Sequence, residues 1–220
     1  VHLLGAFVTK GITLQPRPGN PPPRVAYVPG GMVNSIGLQN IGIEAFLRDR
    51  WPVLRGWGIP IIANIYGFSP AEYAELASRL EAAVELAAIE VNLSCPNVMG
   101  GGREVGEDPQ AAADLIRGVR SRTKKAMIAK LAPGNSRLAD VARAIEGAGA
   151  DALCLGNTLR ILPTGAEGKP VVGNEFGGLS GPALKPLVMK HLKETRGYLG
   201  MPIIAAGGVR GRARRPREGM

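Results

Sequence analysis

The chain has 220 residues, 45% of them hydrophobic, and a mean hydropathy of +0.05, which is ordinary for a globular protein. No apolar run approaches the roughly 18 residues of a membrane-spanning helix, and no signal-peptide pattern opens the chain. We therefore expect no membrane association. Two cysteines do not make a disulfide framework, which favours a reducing, cytoplasmic setting.

The net charge is +9, but its distribution along the chain is uneven. Residues 210–220 carry five arginines, offset by one glutamate, and so contribute +4. These arginines are Arg210, Arg212, Arg214, Arg215 and Arg217. Because the rest of the chain is only mildly basic, we expect no nucleic-acid partner.

Six short apolar runs follow one another along the chain, at residues 3–8, 59–65, 88–93, 126–131, 151–155 and 202–206. Continuously apolar runs are typical of strands buried on both faces. Residues with apolar side chains recur at helical spacing between most of these runs, which predicts intervening helices. His191 lies on the apolar stripe of the last of these helices, so we expect a buried histidine with its hydrogen bonds satisfied.

Capping residues predict where the helices begin and end. Ser69, followed by Pro70 and then by Glu72, forms a capping-box pattern. Asp108 and Ser136 are expected to open the next two helices, and Gly147 or Gly149 to close the second of them.

The alternation of strands and helices predicts an α/β protein with a parallel sheet. A doubly wound sheet should show a Gly-rich turn after an early strand, whereas here about fifty loop-like residues follow the first run. A long insertion of this kind is usually functional. The pattern therefore favours a (βα)8 TIM barrel with about six of eight strands present. We expect one barrel domain, residues 1–209, followed by a basic tail, residues 210–220.

Polar residues cluster where the predicted strands end, which is where ligands bind in α/β folds. They are Thr9, Lys10, Asn92, Ser94, Cys95, Asn97, Lys130, Asn157, Thr158, Gly207 and Gly208, and the early loop adds Asn20, Asn34, Ser35, Gln39 and Asn40. Amides and lysines suit a planar, polar, anionic ligand. Because no metal-ligand spacing, nucleophile elbow or phosphate-binding P-loop occurs, we expect an organic cofactor and no metal.

Eight motifs in order resemble the dihydroorotate dehydrogenases. They span residues 8–11, 16–21, 34–40, 91–97, 130–131, 156–158, 177–182 and 207–208. The resemblance implies a barrel that binds FMN at the carboxyl ends of its strands and oxidises dihydroorotate to orotate in pyrimidine biosynthesis. Cys95 marks class 1 of the family. Gln39 and residues 177–181 are similar to the B-type branch.

The B-type branch implies a partner, an iron–sulfur and FAD subunit that passes electrons to NAD⁺, and a homo-oligomer or heterotetramer. By the family's mechanism, Cys95 removes the C5 proton of dihydroorotate while a hydride leaves C6 for the flavin. A free thiol ionises near pH 8.5, so this base requires conditions that favour its thiolate.

The resemblance also implies the remaining site residues. Cys95 and Lys10 are the expected catalytic residues. The expected substrate-binding residues are Lys10, Asn34, Ser35, Ile36, Gly37, Leu38, Asn92, Asn157 and Thr158. The expected cofactor-binding residues are Lys10, Gly11, Asn92, Lys130, Gly156, Gly181, Gly207 and Gly208. Cys154, within an apolar run, is expected to pack in the core, and Asn20 and Asn40 are typical of turns.

Both ends of the chain depart from the family pattern. The family's first strand and its FMN-binding loop have no counterpart, and residues 210–220 do not resemble its last helix and strand. We therefore expect this chain alone to bind FMN weakly or not at all. The alternatives are another FMN barrel that acts on dihydropyrimidines or on dihydrouridine in tRNA, a non-catalytic truncated barrel, and a basic nucleic-acid binder.

Overall fold

The computed structural model describes residues 4–94, 105–165, 167–209 and 211. In chain order the strands are β1 (Phe7–Val8), β2 (Val25–Val28), β3 (Gly31–Asn34), β4 (Ile61–Ile65), β5 (Ala88–Asn92), β6 (Ala126–Leu131), β7 (Ala152–Leu155), β8 (Leu159–Ile161), β9 (Gly177–Ser180) and β10 (Ile203–Ala205).

The α-helices are α1 (Gly42–Ala45), α2 (Trp51–Leu54), α3 (Pro70–Glu81), α4 (Pro109–Arg120), α5 (Leu138–Gly147) and α6 (Lys185–Arg196). A π-helical turn, Phe46–Arg50, joins α1 to α2. Shorter 3₁₀ turns lie at Arg55–Trp57, Val105–Glu107 and Pro182–Leu184.

Six of the strands form one parallel sheet, in the order β1, β4, β5, β6, β7, β10. Each comes from one of the six apolar runs, although β1 covers only two residues of its run. Every crossover adds the next strand on the same side, and the order never reverses as it does in a doubly wound sheet. The sheet curls into a half-barrel with helices, so the prediction of a partial TIM barrel is confirmed.

Two helices begin at the residues that the sequence indicates. The Ser69 hydroxyl accepts from the backbone N–H of Glu72 at 3.2 Å, and the Asp108 carboxylate accepts from the N–H of Ala111 at 2.9 Å. The Glu72 carboxylate accepts from the N–H of Phe68 at 2.9 Å, one residue before the N-cap. Both caps satisfy N–H groups that have no partner inside the helix.

The prediction that Ser136 opens the next helix is wrong. Helix α5 begins at Leu138, and no side chain caps it. The carboxamide of Asn135 accepts from the N–H of Arg137 at 2.7 Å, so the turn before the helix is organised one residue earlier than predicted. At the other end, Gly149 takes a φ of +100°, as predicted for a residue that closes this helix.

A second, four-stranded antiparallel sheet, in the order β2, β3, β9, β8, was not expected. Its first hairpin lies within the fifty residues that the sequence indicated as loop, and β8 lies in a segment to which the sequence assigned nothing. These strands have at most four residues, and β2 exposes every second residue, Val25 and Tyr27, so their apolar pattern is weak.

The strands of the parallel sheet have two distinct faces. One face packs against α3, α4 and α5 in the main hydrophobic core, which includes Ile65, Ile89 and Leu131. The other face lines the inside of the half-barrel and carries a smaller apolar cluster: Ile62, Ala88, Ile128, Ala152, Cys154 and Ala206. Nearer the carboxyl ends of the strands, this inner face becomes polar, at Asn64, Glu90, Asn92 and Lys130.

Cys154 and His191 are buried as predicted. Burial, with a further contribution from the Glu90 carboxylate, raises the pKa of the Cys154 thiol to about 12. The His191 ring accepts from the N–H of Gly134 through Nε2 at 3.1 Å and contacts the Glu194 carboxylate through Nδ1 at 3.2 Å. Cys154 therefore packs in the apolar cluster of the inner face, and His191 is a buried histidine whose two ring nitrogens both have partners.

Candidate functional site

A cavity of about 220 Å³ opens at the carboxyl ends of the parallel strands. Its lining brings together nine of the residues that the sequence singles out for binding, drawn from four strand ends and the early loop. The lining residues are Thr9, Lys10, Gly11, Asn34, Ile36, Leu38, Asn64, Asn92, Lys130, Asn157 and Thr158. Four carboxamides and two ammonium groups thus surround one small space.

Two asparagines from different strand ends are directly hydrogen bonded. Asn157, just after β7, donates from Nδ2 to Oδ1 of Asn92 at 2.9 Å and also to the carbonyl of Ser94. The N–H of Thr158 donates a hydrogen bond to Oδ1 of Asn157 at 2.9 Å, which fixes the orientation of that carboxamide. The buried Tyr73 hydroxyl donates to the Asn92 carbonyl at 2.6 Å, so α3 holds the end of β5 in place.

The antiparallel sheet supplies one wall of the cavity. Asn34, at the end of β3, donates from Nδ2 to the carbonyl of Gly178 on β9 at 3.3 Å. A Cβ atom at Gly178 would collide with the Thr158 side chain, so glycine allows β9 to approach the end of β7. The sheet that the sequence did not reveal therefore positions two predicted site residues, Asn34 and Thr158.

The segment from Ser35 to Leu38 is held by its neighbours. Ser35 is buried, and its hydroxyl accepts from the carboxamides of Asn20 and Asn174 at 3.2 and 3.1 Å. Gly37 and Leu38 both have positive φ, at +71° and +57°, which turns the chain along the cavity. Ile36 and Leu38 line the cavity, whereas Ser35 and Gly37 are not among its lining residues.

Asn20 and Asn40 form hydrogen bonds within the early loop, as predicted for residues that stabilise turns. Besides its contact with Ser35, Asn20 donates its backbone N–H to the Ile36 carbonyl at 3.0 Å. The Asn40 carboxamide accepts from the N–H of Thr13 and of Gly42 and donates to the Leu38 carbonyl. Neither asparagine lines the polar cavity.

Asn64 and Glu90 belong to the site but were missed by the sequence reasoning. Asn64 lines the cavity, and its Nδ2 donates to Oε1 of Glu90 at 2.6 Å. The same oxygen accepts from Nζ of Lys130 at 3.2 Å. The sequence does carry a signal for both residues, because Asn64 and Glu90 are polar residues within otherwise apolar strands. Glu90 also precedes Asn92 by two positions, which places the two side chains on the same face of β5.

Lys10 lies between the polar cavity and a larger, mainly apolar one. This second cavity, of about 400 Å³, lies beside β1 and is lined by Phe7, Phe46, Leu54 and Trp57 among others. Phe7 and Trp57 pack edge to face with their ring centroids 5.1 Å apart. Lys10 and its neighbour Gly11 line both cavities, so Lys10 lies at the border of polar and apolar surroundings.

Four predicted cofactor-binding glycines have positive φ but lie outside the lining of the polar cavity: Gly156, Gly181, Gly207 and Gly208. A Cβ at Gly156 would collide with the backbone of Ala206, and one at Gly208 would fall 2.7 Å from Cβ of Lys185. Gly208 therefore packs closely against Lys185, the first residue of α6.

Cys95, the predicted base, lies outside the described residues. Ser94, which precedes it, is buried, with its carbonyl bonded to Asn157 and its N–H 3.3 Å from Oδ1 of Asn92. The chain that leads to Cys95 is thus anchored to the asparagine pair. In the part of the chain that the structure describes, no helix is long and apolar enough to cross a bilayer.

Comparison with known proteins identifies the family. The family model of dihydroorotate dehydrogenase matches residues 1–213. The chain is 50% identical over 207 residues to the dihydroorotate dehydrogenase B (NAD⁺) catalytic subunit of Trichlorobacter lovleyi, covering 94% of this chain and 68% of the relative. Proteins of the same name from Pelobacter propionicus and Desulforudis audaxviator are 47% and 45% identical, with 94% of this chain and 68% and 67% of the relatives covered. The chain therefore belongs to the dihydroorotate dehydrogenase family.

Proposed function

We propose that this protein oxidises dihydroorotate to orotate, with FMN as its cofactor, in pyrimidine biosynthesis. The family is flavin-dependent, and the relatives' names state the reaction. The observation that carries the proposal is the polar cavity, in which Lys10, Lys130 and a set of asparagines surround a space at the carboxyl ends of the parallel strands.

The cavity suits a small anionic ring with amide groups on its edge. Dihydroorotate is such a ring, with two carbonyls, two N–H groups and a carboxylate. The Asn92 carboxamide can donate from Nδ2 to a ring carbonyl, because its Oδ1 already accepts from Asn157 and Ser94. The Asn157 Oδ1, which accepts from the N–H of Thr158, has a second lone pair that can accept from a ring N–H. The Lys10 ammonium and the backbone of residues 35–38 offer partners for the carboxylate.

The residues present also fit a flavin with a phosphate tail. Lys130 is only partly exposed and lies on the cavity lining, where its ammonium would stabilise negative charge on the ring. Gly207 and Gly208 both have positive φ, and a Cβ at Gly208 would collide with Lys185, so backbone rather than side chains is presented here, and its N–H groups suit a phosphate. FMN, when bound, supplies the hydride acceptor.

Cys95 is the proposed general base that removes the C5 proton of dihydroorotate. The asparagine pair bonded to Ser94 would set the approach of Cys95 towards the ligand. A thiol acts as a base only as its thiolate, so we expect the rate of oxidation to rise as pH increases towards the ionisation range of cysteine.

The proposed partner and electron acceptor are taken from the relatives' names, which describe the catalytic subunit of an NAD⁺-linked enzyme. A separate iron–sulfur and FAD subunit would take electrons from the flavin of this chain and pass them to NAD⁺, in a heterotetramer or a homo-oligomer. We propose residues 1–209 as the barrel domain, residues 210–220 as a basic stretch outside it, and the cytoplasm as the place of action.

The direct test is reduction of an artificial electron acceptor by protein reconstituted with excess FMN. We expect turnover with dihydroorotate and at most about one hundredth of that rate with dihydrouracil, because dihydrouracil lacks the carboxylate that the cavity's lysines would bind. Turnover with dihydrouracil alone would indicate a dihydropyrimidine enzyme instead. Bound flavin without turnover of either compound would contradict the proposed reaction.

A further inference from the structure

Glu90 is a buried carboxylate in the middle of β5. The residue is 2% exposed, and its side chain points to the inner face of the half-barrel, between Asn64 of β4 and Lys130 of β6. A single oxygen, Oε1, accepts from both neighbours, at 2.6 Å from Asn64 Nδ2 and 3.2 Å from Lys130 Nζ. A carboxylate is costly to bury unless it is paired and hydrogen bonded, and here both conditions are met.

The two partners of Glu90 line the polar cavity, whereas Glu90 does not. It therefore lies one layer behind the surface that a ligand would touch. The third neighbour is Cys154, which pairs with Lys130 in the register of β6 and β7 and whose thiol stays protonated because of burial and the Glu90 carboxylate. Among the residues that the structure describes, the charged group that faces Glu90 is thus the Lys130 ammonium.

We infer that Glu90 is a positioning residue, which fixes the Lys130 ammonium and the Asn64 carboxamide on the cavity floor and offsets part of the positive charge that Lys130 presents to a bound flavin. This role rests on the proposed function for the identity of the ligand. The geometric part does not, because the contacts exist in the protein by itself. A lysine side chain has four rotatable bonds, so without Glu90 its ammonium would sample many positions.

Two variants distinguish the effect of the Glu90 charge from the effect of its side-chain length, and a third serves as the control. Glu90→Gln keeps a carbonyl oxygen that can accept from both neighbours but removes the negative charge. Glu90→Asp keeps the charge on a side chain that is one methylene shorter, so it cannot reach both partners as before. The matched control is Glu81→Gln, because Glu81 at the end of α3 is also a hydrogen-bonded carboxylate, accepting from the Thr123 hydroxyl and the N–H of Lys124.

The first measurement uses flavin-free protein and requires no catalysis. Trace acetylation with acetic anhydride, quantified by peptide mass spectrometry, gives the reaction rate of Lys130 relative to Lys193, an exposed lysine of α6. The Lys130 Nζ is held 3.2 Å from Oε1 of Glu90, and a neutral amide holds an ammonium less firmly than a carboxylate does. We therefore expect Glu90→Gln to free the Lys130 side chain and to accelerate its acetylation by about threefold to thirtyfold. Glu90→Asp should give a smaller acceleration, and Glu81→Gln none. An unchanged rate in Glu90→Gln, or a rate in Glu90→Asp equal to that of the parent protein, would overturn the positioning role.

The second measurement uses protein loaded with FMN and a reference dye in redox equilibrium. Removing the Glu90 charge leaves Lys130 uncompensated, so Glu90→Gln should raise the ratio of reduced to oxidised flavin by about threefold or more at a fixed dye potential. Glu90→Asp should stay nearer the parent value, and Glu81→Gln should equal it. An unchanged ratio in Glu90→Gln would overturn the charge-offsetting role. If Lys130 acetylation responds but dihydroorotate is not oxidised, the positioning role stands and the proposed reaction fails.

Discussion

Asn157 donates a hydrogen bond from Nδ2 to Oδ1 of Asn92 at 2.9 Å, which links the carboxyl ends of β7 and β5 inside the polar cavity. Since Oδ1 of Asn92 is occupied in this way, its Nδ2 remains the group that can face a ligand carbonyl. The same bond leaves Asn157 with its Oδ1 directed to the N–H of Thr158. The pair thus has a defined orientation before any ligand binds, which lowers the cost of ordering on binding.

Replacing either asparagine should weaken orotate binding. We expect Asn92→Ala and Asn157→Ala each to raise the Kd of orotate by about tenfold or more, because each loses a ligand contact and leaves a partner carboxamide unsatisfied. Titration of the FMN-loaded protein with orotate, followed by the flavin absorbance, gives the Kd. The matched control is Gln110→Ala, which removes an exposed carboxamide from α4 and should leave the Kd unchanged.

Removing the Lys130 side-chain charge should destabilise the protein because it leaves the Glu90 carboxylate buried without its cation. We expect Lys130→Met to lower the free energy of unfolding by roughly 2–4 kcal/mol. Adding Glu90→Gln to Lys130→Met should restore a large part of this loss. Urea unfolding of the flavin-free proteins measures both effects, and additive losses in the double variant would contradict a buried ion pair.

The two cysteines should differ sharply in reactivity. Burial raises the pKa of the Cys154 thiol to about 12, so near pH 8.5 it stays protonated and enclosed, and we expect no alkylation by iodoacetamide in the folded protein. Cys95, as the proposed base, should react under the same conditions. Peptide mapping after alkylation distinguishes the two. Modification of Cys154 before Cys95 would contradict their assigned roles.

The folded and unfolded thiols of Cys154 also differ in the pH at which they ionise. In the unfolded chain the thiol ionises near its ordinary pKa of 9.0, whereas in the folded protein it stays protonated until about pH 12. Stability should therefore fall as pH rises through this window, because only the unfolded state releases the proton. Cys154→Ala should remove this part of the pH dependence. Free energies of unfolding at a series of alkaline pH values measure it.

Gly156 should not tolerate a side chain. Its φ is +138°, and a Cβ would collide with the backbone of Ala206 on the neighbouring strand connection. We expect Gly156→Ala to lower the free energy of unfolding by roughly 2–3 kcal/mol. Gly147→Ala is the control, because a Cβ there meets nothing within 4 Å and lies at the end of α5, so it should be neutral or slightly stabilising. Equal effects of the two variants would contradict the close packing at Gly156.

The parallel sheet was predictable because its signal is local. The central strands β4 to β7 are largely buried on both faces and lie in apolar runs. Residues such as Ser69 and Asp108 mark helix starts by their own hydrogen bonds. The antiparallel sheet was not predictable in the same way. Its strands pair residues as distant as Asn34 and Gly178, and they owe their stability to that pairing rather than to a local pattern.

The candidate site shows the same division. Four site residues follow or end apolar strands, so their positions predict that they meet at one edge of the sheet. They line one cavity, as predicted: Lys10, Asn92, Lys130 and Asn157. Glu90 lies inside a strand and touches the cavity only through Lys130 and Asn64, so its place became evident from side-chain contacts. The roles of Cys95 and the four positive-φ glycines remain predictions.

The most direct measurement is bleaching of the bound flavin by dihydroorotate in the absence of oxygen and of any partner subunit. We predict that protein loaded with FMN loses its visible flavin absorbance on mixing with dihydroorotate, and that Asn92→Ala slows this loss by about tenfold or more whereas Gln110→Ala does not. Flavin that is bound yet keeps its absorbance in the presence of saturating dihydroorotate would contradict the assignment of this cavity to dihydroorotate oxidation.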